Sequence, residues 1–453
     1  MYLKKIFKDK FIFLTFLSIL FLHMLIFYIR KISLINIDWY LQVIHFRYPD
    51  PDFFRSVWYY HAEAPGISMI NFIIRSISGK YYEIFFTLIL AFLHGLSFYW
   101  FYCALKYKQV RFAKWISLVL FLNPLVFIYF KYPFYSTFLF VTSTAVLYVL
   151  FTNKSYIQKV LLLSVILGFN IFIRASWHIV IVLLILLPFW KKVPLKTVFI
   201  SILILVIPTG LYVKNYFLFH KFTASTKIGM NLARNHIPPD PKRNSISHIT
   251  AFSDIKMYEP YLDQKNPLLE KYKNVRILND TVADRLNNIR NIPVSDLYLK
   301  DVVNNFSIKY SVKSSILGFF RILESPADYY CFYPDMHVPD ITGIGINDFF
   351  DLPNFQLIRN GFKFHIPLSL YTFIYPLSWL MLLIFYRKMT FEEWMILIIT
   401  TFFTVAYMVI DNFEANRMRF EIEPFWYFLV VLAAIRIADY YKSKKTIQDS
   451  LHS

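Results

Sequence analysis

Residues 84–105 read Ile84-Phe85-Phe86-Thr87-Leu88-Ile89-Leu90-Ala91-Phe92-Leu93-His94-Gly95-Leu96-Ser97-Phe98-Tyr99-Trp100-Phe101-Tyr102-Cys103-Ala104-Leu105, with no formally charged side chain. A helix rises 1.5 Å per residue, so an apolar run of this length crosses a hydrocarbon core of about 30 Å. Nine further runs of the same kind lie near 11–29, 115–131, 134–151, 159–173, 177–190, 196–213, 366–386, 393–410 and 422–440. Together they predict an all-α polytopic membrane protein with about 10 transmembrane helices. The runs at 159–173 and 177–190 are short and are joined by Ile173-Arg174-Ala175-Ser176. They read either as half-spans or as a tilted pair.

The whole chain agrees with this stretch. Its 453 residues are 57% hydrophobic, 20% aromatic and only 17% charged, with a mean hydropathy of +0.46. Soluble chains carry about 25% charged and about 45–50% apolar residues, so the excess belongs to surfaces that face lipid. The 10 glycines argue against a glycine-lined nucleotide fold. A net charge of +19 would suggest a nucleic-acid partner in a soluble protein. Here lysine and arginine gather in short segments between apolar runs and form no stripe interleaved with aromatics, so no nucleic-acid partner is expected. Cys103 lies in an apolar run and Cys331 in a polar one, which leaves neither a disulfide framework nor a cysteine zinc site.

Basic residues also predict the orientation. Lys4, Lys5, Lys8 and Lys10 precede the first run, which is longer than the apolar part of a secretory signal and lacks a small-residue cleavage site after it. It reads as a retained signal-anchor. With those lysines cytoplasmic, alternate connections are basic as well: Lys106, Lys108, Arg111 and Lys114, then Lys154 and Lys159, then Lys191, Lys192 and Lys196, then Arg387 and Lys388, and finally Lys442, Lys444 and Lys445. Both termini are then cytoplasmic. Three polar segments, 30–83, 214–365 and 411–421, fall on the far side of the membrane.

The expected organisation is an N-terminal membrane region (1–213, about seven helices) containing the long first outer loop 30–83. An extracytoplasmic, mainly helical segment (214–365) follows, then a C-terminal membrane region with a short cytoplasmic tail (366–453, about three helices). Within 214–365, helices are predicted over 280–290 and 296–323. Ser315-Ile316-Leu317-Gly318-Phe319-Phe320 is apolar enough to lie along the membrane surface. No fixed-period repeat is present.

Chemistry is sought in the outer segments. The first loop holds Asn36-Ile37-Asp38-Trp39-Tyr40 and Tyr59-Tyr60-His61-Ala62-Glu63-Ala64-Pro65-Gly66. Asp38 follows the first span closely, so its carboxylate stands near the outer surface, where it can take a proton from an incoming hydroxyl. The competing reading is a solvated acid or a salt bridge to Arg30 or Arg47. Near the end stands Asp411-Asn412-Phe413-Glu414-Ala415-Asn416-Arg417-Met418-Arg419-Phe420-Glu421-Ile422-Glu423-Pro424. Arginine grips phosphate through a planar, bidentate fork. Alternatively, Arg417 and Arg419 pair with Glu414, Glu421 or Glu423 and anchor the helix end. Arg174 sits between two apolar runs with Trp177 and His178 after it; snorkelling to headgroups or holding a phosphate would each justify a charge there. His23 and His94, inside apolar runs, read as helix-packing polar residues. Gly343-Ile344-Gly345 lacks the context of a dinucleotide site, and Asp335-Met336-His337-Val338-Pro339-Asp340 reads as a solvated loop.

An early acid in the outer loop after the first span resembles the C-type (GT-C) polytopic membrane glycosyltransferases. Asp38-Trp39-Tyr40 looks like their Asp-x-x-Tyr element, and His61-x-x-Ala64-Pro65-Gly66 looks like their His-Pro-Pro-Leu element. Asn123-Pro124 and Tyr132-Pro133-Phe134-Tyr135-Ser136-Thr137 are similar to the Pro-Tyr-Ser-Glu element of lipid-linked mannosyltransferases, with Thr137 in place of glutamate. The 411–424 stretch resembles the Glu-x-x-Arg-x-Arg…Pro element of the bacterial aminoarabinose and lipopolysaccharide-core sugar transferases, within a superfamily that includes protein O-mannosyltransferase-like enzymes.

The resemblance implies transfer of a sugar, with inversion, from a polyisoprenyl-phosphate donor to a hydroxyl-bearing acceptor (glycolipid, polysaccharide or protein) on the far side of the bilayer. It assigns Asp38 as general base and Arg417, Arg419 and Arg174 as donor-phosphate ligands. Tyr40, His61, Glu63, Tyr135 and Glu414 would bind donor or acceptor or position a metal. No cofactor is required by these elements, and a divalent metal stays open because Trp39 and the single Pro65 depart from the usual pattern. Low glycine with abundant Lys, Asn, Ile and Phe suggests an AT-rich genome; the expected location is a bacterial inner membrane with a periplasmic active face, with a eukaryotic secretory membrane as the alternative. Two other readings compete: an O-antigen ligase or polysaccharide polymerase, and a lipid or sugar transporter, which would want more ionisable groups inside its spans.

Overall fold

The computed structural model of the protein describes residues 9–30, 53–131, 135–237, 262–263, 265–279, 288–323, 352–359, 362–368, 370–410 and 415–452. In hydrocarbon no water is available to backbone N–H and C=O groups, so apolar runs satisfy them internally as helices. The first half of the chain forms α1 (Lys10–Arg30), α2 (Phe53–Tyr59), α3 (Gly66–Ser78), α4 (Tyr82–Tyr107), α5 (Ala113–Phe121), α6 (Pro124–Lys131), α7 (Tyr135–Leu150), α8 (Tyr156–Ile173), α9 (Ile179–Trp190) and α10 (Leu195–Phe219). Among the described residues, five stretches are long and apolar enough to cross a membrane: Lys10–Tyr28, Gly66–Tyr107, Tyr156–Ile173, Leu195–Phe219 and Phe391–Ile410. The chain is therefore a helical protein built for a lipid bilayer.

The polar middle of the chain contributes α11 (Ile228–His236), α12 (Pro267–Tyr272), α13 (Arg276–Asn279), α14 (Asn291–Asn305) and α15 (Ile308–Leu323). An antiparallel hairpin follows, β1 (Leu352–Arg359) with β2 (Phe362–Leu368), in which Phe355 is opposite Ile366 and Arg359 opposite Phe362. The chain ends in α16 (Leu370–Ile384), α17 (Phe391–Ile410) and α18 (Ala415–His452).

The bundle is organised around α7. Nearly every side chain of this helix is buried, and it packs against α4, α8 and α18. An apolar helix buried on all sides belongs in the middle of a membrane bundle. Its close partners exploit small hydroxyls: Ser143 Oγ donates to the Glu421 carbonyl of α18 at 2.7 Å. By contrast α10 turns Phe199, Leu203, Val206 and Ile207 outward, as a lipid-facing wall does. Lysines at the basic end are tied by carboxylates: Glu393 of α17, fully buried, meets Lys108 at 2.6 Å and Arg436 at 3.1 Å.

Four expectations change. The run 115–131 is two short helices, because Pro124 has no N–H to continue α5. The break leaves carbonyls that lipid cannot satisfy, and His94 resolves this: its Nε2–H donates to the Phe121 carbonyl at 2.8 Å. Its Nδ1 is then the acceptor, so His23 Nε2–H completes the chain at 2.9 Å. His94→Leu is expected to lower the unfolding temperature in detergent, at a cost of about 1–3 kcal/mol for each group left unsatisfied, with His94→Gln recovering part of the loss. The predicted 296–323 helix divides at Phe306 and Ser307 into α14 and α15, and of the predicted 280–290 helix residues 280–287 lie outside the described residues. The all-α expectation needs the β1–β2 hairpin added, whose second strand runs to Leu368 and so delays the helix expected at 366 until Leu370. Finally, α18 begins at Ala415, inside the expected outer loop 411–421, and its 38 residues extend about 57 Å, past the end of the run at 440.

Candidate functional site

Arg174, Arg419, Glu421 and Glu423 form the charged centre of the end of the bundle where the predicted outer segments gather. Arg174 closes α8 in an extended conformation (φ −152°, ψ 134°), which turns the chain away from the helix axis. Its guanidinium forms an ion pair with Glu421 of α18 and lies 4.1 Å from the centre of the Tyr135 ring and 5.8 Å from that of Tyr407. Glu421 is fully buried. It accepts from Tyr407 Oη at 2.6 Å and from Ser136 Oγ at 3.3 Å. A carboxylate so enclosed keeps its charge through the arginine and the hydroxyls around it.

Arg419 lies on another face of the same helix. Its Nε donates to Glu423 Oε2 at 2.8 Å and its Nη1 to the Ile322 carbonyl of α15 at 2.6 Å, while Tyr375 Oη reaches the other Glu423 oxygen. Nη2 of Arg419 has no hydrogen-bond partner among the described residues, although the residue is only 1% exposed. More such polar atoms lie at the end of α8 and in the turn after it: Asn170 Nδ2 and Oδ1, Ser176 Oγ and Trp177 Nε1 are buried and equally unpartnered among the described residues. Buried polar groups are nearly always paired, so a cluster of orphans marks a place where another polar group belongs. His178 follows this turn, and its Nδ1 accepts from the Val180 N–H at 3.3 Å, which caps α9.

The stretch from Tyr60 to Glu63 is locked onto the segment after α10. His61 Nδ1 hydrogen-bonds Thr226 Oγ1 at 2.7 Å, and the Thr226 N–H donates to the His61 carbonyl at 3.1 Å. Ser225 Oγ donates to the Ala62 carbonyl at 2.6 Å. Glu63, partly exposed, faces Lys227 at 3.9 Å. Lys214 Nζ fastens the end of α2 through the Tyr60 and Val57 carbonyls. Gly66 then brings the start of α3 so close to α8 that a Cβ would overlap the Phe172 carbonyl. This stretch is thus anchored two residues from Arg174.

Of the residues expected from sequence, Arg174, Tyr135 and Arg419 come together around α18. His61 and Glu63 form a second, neighbouring cluster in which His61 is fully buried. Asp38, Tyr40 and Glu414 lie outside the described residues, and of Arg417 only its place in the first turn of α18 is described. Among the described residues no group of three or more His, Cys, Asp or Glu gathers as a metal centre. The arginines adopt the ion-paired alternative: Glu423 holds Arg419 and Glu421 holds Arg174. Sequence reading named Glu421 and Glu423 only as alternative partners of Arg417 or Arg419, and it passed over Tyr407 and Tyr375, which bond to those two acids. Thr137 stands where the mannosyltransferase-like element has glutamate, and its hydroxyl donates to the Tyr129 carbonyl at 2.7 Å, joining α6 to α7.

The class that fold and site define is a helical membrane protein with a buried Arg–Glu cluster at one end of its bundle. No family model, curated protein or solved structure matches the chain.

Proposed function

We propose that this protein is a membrane glycosyltransferase that moves a sugar from a polyisoprenyl-phosphate donor to a hydroxyl-bearing acceptor on the extracytoplasmic side. The observation that carries the reading is the buried Nη2 of Arg419, unpartnered among the described residues, beside a second arginine, Arg174, that reaches α18 from a distant part of the chain. Glu421 and Glu423 neutralise the two arginines while the site is empty, and the remaining N–H groups receive the donor phosphate. Asp38 takes the proton from the acceptor hydroxyl as its oxygen attacks the anomeric carbon from the face opposite the phosphate. The sugar–phosphate C–O bond breaks, its electron pair leaves with the polyisoprenyl phosphate, and configuration inverts. Arg174, Arg419 and Arg417 stabilise the charge that develops on the departing phosphate, and such preorganised donors act in proportion to the charge that appears. Tyr135, Tyr40 and Glu414 border the donor. His61 and Glu63 shape the acceptor side, with a divalent ion there as an optional addition.

In this reading the ten apolar runs all cross, the termini are cytoplasmic, and the membrane is the inner membrane of a bacterium. Membranes containing the protein are expected to release radiolabel from polyprenyl-phosphate sugars to an acceptor; no transfer from a broad donor panel would reject the reading. Orientation has its own test. In a Cys331→Ser background, Asp263→Cys is expected to react with an impermeant thiol reagent on intact cells, and reaction only after lysis would place the site on the wrong side.

A further inference from the structure

At the opposite, basic end of the bundle, α5 and α18 stand apart and leave a cavity of about 620 Å³ that opens sideways. Its floor is one stripe of α18, from Tyr427 through Ala434 and Ala438 to Lys442. The small Ala434 and Ala438 hollow the stripe out. The fifteen helical rises between Tyr427 and Lys442 make it about 22 Å long, more than half of a hydrocarbon core of about 30 Å. At its inner end it closes on Tyr375, which is stacked on Trp426 at 4.8 Å. The walls are almost wholly apolar, and polarity is confined to the mouth, where Gln109, Arg111, Asp439 and Lys442 meet.

On one side the groove is lined by residues 109–120 of the turn before α5 and of α5 itself, and α5 ends at Phe121, before the break at Asn123 and Pro124. Behind the mouth, Glu393 fixes Lys108 and Arg436. At the mouth itself the two cations Arg111 and Lys442 outnumber the one carboxylate, Asp439, so the rim carries a net positive charge.

We propose that this groove is a binding site for an anionic glycerophospholipid: one acyl chain lies along α18 over Ala434 and Ala438, and the phosphate sits between Arg111 and Lys442. Charge complementarity selects this occupant. A hydrocarbon chain alone needs no cations at the mouth, and a zwitterionic headgroup brings no net charge to balance them. The groove's inner end shares Tyr375 with the Arg419–Glu423 pair, but its charged mouth lies at the other end of the stripe, at Arg111 and Lys442, and the proposal does not rest on the glycosyltransferase reading.

The test uses the full-length protein purified in mild detergent, with retained lipids identified by native mass spectrometry and thermal unfolding followed as phosphatidylglycerol or phosphatidylcholine is added back. Retention of phosphatidylglycerol and a selective rise in unfolding temperature with it are expected. The surface double variant Arg111→Gln/Lys442→Gln is expected to lose about 30-fold in preference for the anionic lipid, since each basic residue near an anionic headgroup contributes severalfold. Ala434→Phe, which fills the groove, is expected to abolish retention of either lipid. Equal retention of the two lipids by the wild-type protein, retention of none, or an unchanged preference in the double variant would each overturn the proposal. So would displacement of phosphatidylglycerol by polyprenyl phosphate, which would make the groove a donor-tail site.

Discussion

Asp38→Asn is expected to reduce sugar transfer about 10²–10⁴-fold, the range over which a positioned general base accelerates a reaction. Asparagine preserves the size and hydrogen-bonding reach of the side chain but cannot accept a proton near neutral pH, so the acceptor oxygen must attack while still protonated. The measurement is the single-turnover rate at saturating donor, with equal amounts of folded protein confirmed by thermal unfolding. The loss should fall on the rate and leave donor binding little changed, because the proposed base touches the acceptor and not the phosphate. Transfer that survives the substitution would move the base elsewhere, with Glu63 the next residue to test, since its carboxylate is partly exposed and only loosely held by Lys227 at 3.9 Å.

Arg419→Met is expected to abolish transfer and also to destabilise the protein. Methionine leaves the Glu423 carboxylate buried with only the Tyr375 hydroxyl among the contacts described above and strips the Ile322 carbonyl of its donor. Breaking one side of a buried ion pair costs about 3–5 kcal/mol, a large share of a typical folding free energy of about 5–15 kcal/mol. Loss of activity in this variant alone therefore says little about phosphate binding. Arg419→Met/Glu423→Gln separates the two roles, because it removes both charges and restores much of the unfolding temperature. Transfer should stay about 10²–10³-fold below wild type in the double variant if the guanidinium stabilises the leaving phosphate. Recovery of transfer together with stability would reduce Arg419 to an anchor between α15 and α18.

The two substitutions probe regions of different legibility. Asp38 stands out in the sequence because an acid among aromatics just after an apolar run is conspicuous. Arg419 was visible as one of two arginines before a final run, yet its partner could be chosen only in three dimensions. Spacing alone allows Glu423 at one helical turn as well as Glu421 or Glu414, and the fold gives Glu421 to Arg174 from a helix that ends far earlier in the chain. The orphaned donors on Asn170, Ser176 and Trp177 carry no sequence signal at all, since satisfaction is a property of surroundings.

Apolar run length by itself determined that the chain is a helical membrane protein, because lipid forces each apolar stretch to close its own hydrogen bonds and a helix is the local way to do so. Proline alone did not mark the punctuation: Pro188, Pro208, Pro376 and Pro424 lie inside helices, whereas Pro124 stands at the break between α5 and α6. Only the tertiary structure decided which breaks are tolerated, which charges are buried and who neutralises them. His94 meets the Phe121 carbonyl across a separate helix, and Glu421 meets Arg174 across two. Such pairings depend on the packing of α4, α7, α8 and α18 together, and the free energy of a buried charge or carbonyl is set by that environment rather than by its neighbours in the chain.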